Sequence, residues 1–364
     1  MDFPHPEFMR LALRLARKGT GRTSPNPAVG AVVVRNGRVV GTGYHRAAGM
    51  PHAEVEALRD AGGAARGGDL YVTLEPCAHT GRTGPCTEAI IAAGVARVAA
   101  AMSDPNPIVA GKGFRALRRA GTRVASGVME EEARSLNRSY CRWVESGRPF
   151  VTLKLAVSLD GQVAAASGDS RWISGEAARR MVHRMRSEAD AVLVGGVTFR
   201  RDAPLLTARM RGGRNPKRVV LTSRAGDVAA NRRFLAAEGE VIVAAPRGVS
   251  RQETDRLRAL GVRVLSIPAR KGRIRAGPFL DALGREGITS LLVEGGGKTA
   301  GWLIEAEAVD RYLFFIAPLL LGQGIRSVAG FAVRSPNEGR RLIITAVKRV
   351  GGDVLLIAEP APAV

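Results

Sequence analysis

The chain has 364 residues, of which 45% are hydrophobic and 24% charged, so it can bury full cores and is not predicted to be disordered. At about 100–200 residues per domain, this length predicts two domains or three. The formal charge is +22, but 48 of the 55 basic residues are arginine. That bias is typical of a GC-rich genome, and the charge alone identifies no partner.

The sequence shows no feature of a membrane or secreted protein. The longest apolar run, 313–321, is too short to span a bilayer and contains Pro318. The N-terminus lacks a basic segment followed by an apolar one, which a signal peptide would need. Three cysteines, at 77, 86 and 141, are too few for a disulfide scaffold and fit a reducing compartment. We therefore expect a cytoplasmic protein with no membrane partner.

Helices and strands alternate along the first part of the chain. The apolar spacing predicts a helix over 7–18, and Asn36-Gly37 predicts a hairpin turn between two strands. The elements predicted after that helix are strands 28–34 and 38–44, helix 52–61, strand 69–74, helix 87–93, strand 96–102, and helices 113–120 and 130–144. This order favours an α/β layered domain, which we place at 1–147, ahead of the Gly- and Pro-containing end of segment 145–149.

A second alternating pattern follows, and we assign it to a domain at 148–364. The strands predicted there are 150–157, 191–194, 218–222, 241–245, 262–267, 290–293 and 311–321. The helices predicted between them include 177–187, 252–260 and 278–286. The chain ends in a predicted hairpin, with strands 341–349 and 353–359 joined across Gly351-Gly352.

Three short segments of the first domain carry residues that bind zinc in other proteins. His52, Cys77 and Cys86 supply one imidazole and two thiolates, the ligand count of a catalytic zinc site that leaves its fourth position to water. Zinc lowers the pKa of that water to about 7. Glu54 stands two residues beyond the histidine, so it would face the water rather than the metal and would carry protons.

Each of these residues also has an ordinary structural explanation. A single histidine before a helix is usually structural, and a buried cysteine more often packs as a small apolar side chain. A structural zinc site would need a fourth ligand, for which His79 is the nearby candidate. The combination of all four residues within one α/β pattern favours the catalytic interpretation.

The combination resembles the zinc-dependent cytidine deaminase superfamily, in which His52-Ala53-Glu54 and Pro76-Cys77 are the matching motifs. Eight residues separate Cys77 from Cys86, and this spacing is similar to that of the bacterial riboflavin-biosynthesis deaminases. Gly84 stands where those proteins usually have proline. The segment 24–30 matches their Pro-Asn-Pro-x-Val-Gly motif, which implies that Asn26 holds the pyrimidine or ribose of the substrate.

The second domain contains a glycine-rich turn at 293–301, between a predicted strand and an apolar helix. Such a turn lets backbone N–H groups approach a phosphate, although it can equally be a tight connection. It is not a P-loop, because Leu292 occupies the position of the required first glycine. With segments 153–161, 170–174 and 196–209, it resembles the reductase domain of bifunctional riboflavin biosynthesis proteins. The resemblance implies a dihydrofolate-reductase-like α/β fold that uses NADPH. Ala203 replaces a common aspartate of that family.

The resemblance also implies which residues contact the cofactor and the substrate of this domain. Lys154, Asp202 and Glu294 would surround the nicotinamide and its ribose. The other cofactor-binding residues that it implies are Ala156, Trp172, Thr198, Ser223, Gly296, Gly297, Lys298, Thr299, Ala300, Gly301 and Trp302. The substrate-binding residues that it implies here are Ser170, Arg186, Leu206, Arg209 and Glu294. The two arginines would pair with the substrate's 5′-phosphate.

The resemblance spans residues 5–359 and implies a bifunctional enzyme of riboflavin biosynthesis. A cytidine-deaminase-like α/β/α domain would deaminate 2,5-diamino-6-ribosylamino-4(3H)-pyrimidinone 5′-phosphate with zinc. A reductase domain would then reduce 5-amino-6-ribosylaminouracil 5′-phosphate to the ribityl product with NADPH. Both substrates are small phosphorylated pyrimidines, so no nucleic-acid partner is expected. The resemblance also implies a homodimer through the reductase domain.

Two alternatives remain open at this point. A tRNA-type nucleic-acid deaminase with an accessory domain would explain the basic charge, although the long loop between the cysteines argues against it. In a protein with a single activity, one domain would only scaffold the other. The presence of every zinc ligand and of Glu54 argues against an inactive deaminase.

Overall fold

The computed structural model describes residues 3–78 and 84–362. The chain divides into two compact units, Met1–Gly147 and Arg148–Val364. No helix among these described residues has both the length and the apolar character needed to cross a membrane.

Unit 1 is built on a five-stranded sheet with the strand order β2-β1-β3-β4-β5. β1 pairs antiparallel with β2 and β3, whereas β3, β4 and β5 run parallel to one another. Its helices and strands are α1 (Pro6–Arg17), β1 (Gly30–Arg35), β2 (Arg38–Tyr44), α2 (Ala53–Ala61), β3 (Asp69–Val72), α3 (Cys86–Ala92), β4 (Arg97–Ala100), α4 (Lys112–Arg119), β5 (Arg123–Ser126), α5 (Glu130–Leu136) and α6 (Arg138–Ser146). The hairpin turn at Asn36-Gly37 is confirmed.

Helices cover both faces of this sheet, and two glycines show how closely they pack. A Cβ at Gly30 would collide with the backbone of α1, and a Cβ at Gly43 would collide with the backbone of α2. Gly43 pairs across the ladder with Ala31, the neighbour of Gly30, so the two glycines face opposite sides of the sheet. The predicted α/β/α layering is therefore confirmed.

The predicted helix 130–144 is wrong in one respect, because the chain forms two helices that meet at Asn137. The Asn137 side chain accepts a hydrogen bond from the Ala28 N–H at 2.8 Å and donates one to the Ala28 carbonyl at 3.0 Å. The two helices thus meet at a residue whose amide bonds the backbone 109 positions away. Helical periodicity alone does not reveal such a partner.

Unit 2 is built on a nine-stranded sheet with the order β11-β10-β9-β8-β14-β6-β15-β18-β17. The strands from β11 to β15 run parallel, and β18 and β17 form an antiparallel edge. Its strands are β6 (Phe150–Ser158), β7 (Gln162–Ala164), β8 (Ala191–Gly195), β9 (Lys217–Leu221), β10 (Val241–Pro246), β11 (Arg263–Ile267), β12 (Ala269–Arg270), β13 (Arg273–Ile274), β14 (Ser290–Val293), β15 (Arg311–Ala317), β16 (Ile325–Arg326), β17 (Leu342–Val350) and β18 (Asp353–Pro360). Its helices are α7 (Glu176–Glu188), α8 (Gly196–Asp202), α9 (Gly226–Ala230), α10 (Arg232–Ala236), α11 (Arg251–Ala259), α12 (Ala276–Arg285) and α13 (Gly297–Glu305).

Alternate residues of the central strands enter two different cores. On β8, Leu193 joins the core formed with α12 and α13, whereas Val192 and Val194 join the core formed with α8 to α11. Helices therefore cover both faces, and the carboxyl ends of the parallel strands are left to form a cavity. The predicted strand 311–321 is shorter than expected and ends at Ala317, just before Pro318.

Candidate active sites

The three predicted zinc ligands of unit 1 come together in the structure. His52 caps the N-terminus of α2, Cys86 opens α3, and Cys77 lies in the segment that follows β3. The His52 Nδ1 atom is 3.1 Å from the Cys86 sulfur and 3.6 Å from the Cys77 sulfur. All three ligand atoms lie within 4.8 Å of one another. One imidazole and two thiolates at this separation fit a zinc ion.

The electrostatics of the cluster also favour a divalent cation. A hydrogen bond from Cys86, with a further one from His52, lowers the pKa of the Cys77 thiol to about 4. The hydrogen bond to Cys77 and burial raise the pKa of Cys86 well above its ordinary value. The cluster alone therefore holds one thiolate and resists a second, whereas a bound cation stabilises both.

Glu54 lies in the first turn of α2, two residues after His52, and only 4% of it is exposed. Burial raises the pKa of its carboxyl group, partly offset by the charge of His52. The carboxyl also shares a hydrogen bond with Cys86, so it lies at the metal cluster. A carboxyl group in this environment can both accept and return a proton.

Asn26 reaches this site through His45. The Asn26 Nδ2 atom is 3.3 Å from His45 Nε2, and the His45 Nδ1 atom is 3.1 Å from the Pro51 carbonyl oxygen. Since the carbonyl can only accept, Nδ1 carries the proton and Nε2 accepts from the Asn26 amide. The His45 ring also packs edge-on against His52, with centroids 5.5 Å apart. His45 therefore orients the Asn26 amide beside the metal ligands.

Glu75 anchors the segment that carries Cys77. Its buried carboxylate accepts four backbone N–H groups, at 2.9 Å from Gly111 and Gly113, 3.2 Å from Phe114 and 3.3 Å from Asp104. Two of these donors belong to the first turn of α4, so Glu75 caps that helix from a distant part of the sequence. The arrangement ties Pro76 and Cys77 to α4.

Residues 79–83, which include His79, lie outside the described residues.

Unit 2 contains a cavity of about 970 Å³ at the carboxyl ends of its parallel strands. Most of the predicted reductase residues line it. They are Lys154, Ala156, Ser170, Trp172, Arg186, Thr198, Asp202, Arg209, Ser223, Glu294, Gly296, Gly297, Lys298, Thr299 and Trp302. Leu206, Ala300 and Gly301 do not line it and are buried. These three residues pack in the interior of unit 2, and their contact with cofactor or substrate stays a prediction.

A buried ion pair lines this cavity. The Arg186 guanidinium donates to both Glu294 oxygens, at 2.6 and 2.9 Å, and to the Thr207 carbonyl at 3.1 Å. Only 9% of each charged side chain is exposed. Burial alone would raise the pKa of Glu294, but Arg186 lowers it below its ordinary value. Arg186 is therefore paired within the protein, and its contact with the substrate's phosphate stays a prediction.

Lys154 and Arg209 are the cations beside this pair. Burial lowers the pKa of Lys154, although the charge of Glu294 opposes this effect. Burial and the charge of Arg186 lower the pKa of Arg209. Arg209 forms no ion pair with any described residue. Of the two arginines predicted to bind phosphate, it is the one whose charge is available.

The glycine-rich turn is held close to α8. The Gly296 N–H donates to the Thr198 hydroxyl at 3.0 Å, and α13 begins at the next residue. A Cβ at Gly297 would collide with the Arg326 carbonyl, so only glycine fits this start of the helix. The predicted connection from a strand to an apolar helix is confirmed.

Trp172 lies on a loop that borders the cavity, and Asp202 is the last residue of α8. The Trp172 side chain is 71% exposed, and the Arg179 guanidinium lies 4.5 Å from its ring centroid. Burial raises the pKa of the Asp202 carboxyl. The Asp202 backbone carbonyl accepts a hydrogen bond from Arg171 at 3.4 Å, which links the loop to the end of α8.

Comparison with known proteins assigns both units. Residues 4–102 match the cytidine and deoxycytidylate deaminase zinc-binding region, and residues 149–356 match the RibD C-terminal domain. The riboflavin biosynthesis protein RibD of Aquifex aeolicus (strain VF5) is 42% identical over 350 residues, which cover 96% of each chain. RibD of Escherichia coli (strain K12) is 41% identical over 363 residues, which cover 96% of this chain and 97% of that protein. The chain belongs to the RibD family.

Solved RibD structures have the same fold. Form 1 of Acinetobacter baumannii RibD superposes with a TM-score of 0.87 at 37% identity and covers 98% of each chain. A diaminohydroxyphosphoribosylaminopyrimidine deaminase/5-amino-6-(5-phosphoribosylamino)uracil reductase from Thermotoga maritima gives a TM-score of 0.86 at 35% identity, again over 98% of each chain. The predicted family and fold class are confirmed.

Membership of the RibD family makes this chain a bifunctional enzyme of riboflavin biosynthesis. It has a zinc-binding deaminase domain followed by a reductase domain of the NAD(P)-dependent type, and it acts on small molecules. The prediction of a bifunctional enzyme is therefore confirmed, and the alternative of a nucleic-acid deaminase is not supported.

Three features of this RibD site were missed by the sequence analysis. His45 precedes His52 by seven residues, and a second histidine so near a ligand was the available sign of its role. Glu75 is adjacent to the Pro-Cys motif, yet its backbone partners at 104–114 follow no motif. The hairpin of β12 and β13, which places Arg273 at the cavity, is too short to give a periodic pattern.

Proposed function

We propose that unit 1 deaminates 2,5-diamino-6-ribosylamino-4(3H)-pyrimidinone 5′-phosphate and that unit 2 reduces the 5-amino-6-ribosylaminouracil 5′-phosphate so formed. The observation that carries this proposal is the cluster of His52, Cys77 and Cys86 with the buried Glu54 beside it. The name of the Thermotoga maritima relative, which states both activities, supports the choice of substrates.

In the deaminase site, His52 and the two cysteines would hold the metal, and each remaining step belongs to the chain. A zinc ion held there supplies hydroxide at neutral pH. Glu54 takes the proton that the attacking water gives up and passes it to the pyrimidine ring. It then helps the amino group leave as ammonia, so one water is consumed and a carbonyl replaces the C–NH2 group. Asn26, oriented by His45, would hold the pyrimidine or ribose.

In the reductase site, we infer that the residues lining the cavity would hold NADPH, which would supply a hydride for C1 of the opened ribose. The C1–nitrogen double bond becomes a single bond, and the nitrogen takes a proton. Lys154 is placed to give that proton, because it lines the cavity and burial lowers the pKa of its ammonium group, which makes the protonated form a stronger acid. The charges of the Arg186–Glu294 pair act on the Lys154 pKa in opposite directions, Glu294 raising it and Arg186 lowering it. Arg209 would pair with the substrate's phosphate.

We also propose a homodimer through unit 2. β17 is the edge strand of the nine-stranded sheet, and its Ile343, Ile344 and Val347 side chains are 50%, 58% and 63% exposed. An exposed apolar edge of this length tends to be covered in a stable protein. A second copy supplies the same surface and can cover it symmetrically. Val347→Glu should yield monomers by analytical ultracentrifugation, whereas Leu260→Glu, at another exposed apolar position of unit 2, should not.

A reducing compartment, the cytoplasm, suits this enzyme. The cluster needs Cys77 and Cys86 as thiolates, and oxidation would join them or cap them.

A coupled assay tests both activities in one tube. The diaminopyrimidine substrate is added with NADPH, and ammonia release and NADPH oxidation are followed together. We expect one ammonia per NADPH oxidised. Ammonia without NADPH oxidation would contradict the reductase assignment, and neither signal would contradict the substrate assignment.

Glu54→Gln tests the proton carrier separately. It should retain zinc by elemental analysis but lose about 10²–10⁴-fold in deamination rate. Glu56→Gln is the matched control, since Glu56 lies on the same helix and pairs with Arg59 instead. Deamination by Glu54→Gln at the unaltered rate would refute the role given to Glu54.

A further inference from the structure

The cavity of unit 2 is long enough to have two separate ends. Lys154 on β6 and Pro246 at the end of β10 both line it, and β14, β8 and β9 lie between these two strands. At about 4.8 Å per strand, this places the two ends about 19 Å apart. A phosphorylated pyrimidine is shorter than this distance, whereas an extended dinucleotide can span it.

The end away from Lys154 is formed by strand ends and a fixed hairpin. Ser223 follows β9, Pro246 ends β10, and β12 and β13 present Arg273 to the cavity. The Trp302 indole N–H donates to the Ile274 carbonyl at 2.9 Å. This bond ties the hairpin to α13, so Arg273 is carried by an anchored element.

Arg273 differs from three of the other arginines that line this cavity, and it lies at the opposite end from Arg209, which is beside Arg186 and Glu294. Arg186 pairs with Glu294, Arg201 donates to the Ser167 carbonyl, and Arg179 donates to the Ser174 carbonyl. The Arg273 guanidinium forms no ion pair or hydrogen bond with any described residue. Glu305, a lining carboxylate on α13, is not paired with it either. The far end of the cavity therefore offers a cation whose charge no described acidic side chain compensates.

We propose that Arg273, together with the Ser223 hydroxyl, binds the 2′-phosphate of NADPH and sets the preference for NADPH over NADH. This inference rests on the proposed function of unit 2, in which the nicotinamide lies near Lys154. The dinucleotide then extends past the N-terminus of α13 and brings its adenosine ribose to the far end. NADPH and NADH differ only in the phosphate on that ribose, and a guanidinium can bind a phosphate through two parallel hydrogen bonds.

Equilibrium binding of NADP⁺ and NAD⁺ to the full chain tests this proposal without turnover. Arg273→Ala should raise the dissociation constant for NADP⁺ by about tenfold to a hundredfold and leave that for NAD⁺ unchanged. Arg273→Glu should raise it further, because it places an anion beside the phosphate. Arg270→Ala is the matched control. Arg270 pairs with Arg273 across the same hairpin but does not line the cavity, so its loss should change neither constant.

The outcomes separate this inference from the reductase assignment. An unchanged NADP⁺ constant in Arg273→Ala would overturn the inference alone. An equal rise of the dissociation constants for NADP⁺ and NAD⁺ would also overturn it. Arg273 would then contact a part of the dinucleotide that both molecules share, not the 2′-phosphate. If the wild-type chain bound neither dinucleotide, the nicotinamide cofactor itself would be refuted, and the inference with it. Retained NAD⁺ binding also shows that each variant is folded.

Discussion

The two active sites of this chain are assembled in different ways. In unit 1, the metal ligands and Glu54 come from 35 consecutive residues, two helix starts and one strand end. In unit 2, the lining residues come from β6, β8, β9 and β10, from helices α7, α8 and α13, and from the loops between these elements, spread over 150 residues of sequence or more. A site whose residues lie close together along the chain can be recognised in the sequence as a motif. A site made of strand ends becomes visible only when the sheet is assembled.

The largest effect should follow from breaking the compact site. Cys77→Ser removes one of two thiolates, so we expect no retained zinc by elemental analysis and no measurable ammonia release. NADPH oxidation with the deaminated substrate should continue, because no described lining residue of the second cavity comes from unit 1. Cys141→Ser, at a buried cysteine outside the cluster, is the control. Retained zinc in Cys77→Ser would refute the ligand set.

In the site of unit 2, whose residues are dispersed along the sequence, a substitution should lower stability as well as activity. Glu294→Gln leaves the buried Arg186 guanidinium without its anion, which costs about 3–5 kcal/mol in comparable cases. Denaturation followed by near-UV circular dichroism should show unit 2 unfolding earlier. Deamination should stay unchanged below that transition. A loss of activity without a loss of stability would mean that Glu294 acts in chemistry alone.

A smaller effect on stability and zinc binding is expected when a residue outside the zinc-site motif of unit 1 is changed. Glu75→Gln replaces an acceptor of four N–H groups by one that also presents donors, and should cost about 1–3 kcal/mol in the stability of unit 1. Because Glu75 ties Cys77 to α4, zinc affinity should fall by about tenfold to a hundredfold. The absorption spectrum of the Co²⁺-substituted chain gives a second readout, since its thiolate bands report ligand geometry. If Glu75→Gln left the spectrum and the zinc affinity unaltered, Glu75 would act only as a cap of α4.

The smallest effect concerns pH. Arg186 holds the pKa of Glu294 below its ordinary value of 4.5. The carboxylate therefore contributes stability above pH 4.5, and this contribution is lost as the pH falls through the lower, folded-state value. Unit 2 should thus unfold more readily on acidification below that pH. The slope of unfolding free energy against pH should be shallower in Glu294→Gln. Identical slopes would exclude Glu294 from the acid response.

The success of the sequence-based predictions also differs between the site of unit 1 and the site of unit 2. His52, Glu54, Cys77 and Cys86 were found from local spacing, because each ligand sits at the start or end of an element. Arg186 and Glu294 were placed near the substrate, but their mutual ion pair joins residues 108 positions apart and has no local sign. The break at Asn137 was missed for the same reason, since its partner is Ala28. Long-range polar contacts decided each of these cases.

The Asn137 side chain has a practical consequence for dividing the protein. The matched deaminase region ends at residue 102, and a natural choice would be to express that part alone. Such a fragment would lose the amide that satisfies both backbone groups of Ala28, two residues after Asn26. The Glu75 carboxylate would also lose its backbone N–H donors, which lie at 104–114. A free-standing deaminase therefore has to extend at least to Asn137, about a third further than its matched region.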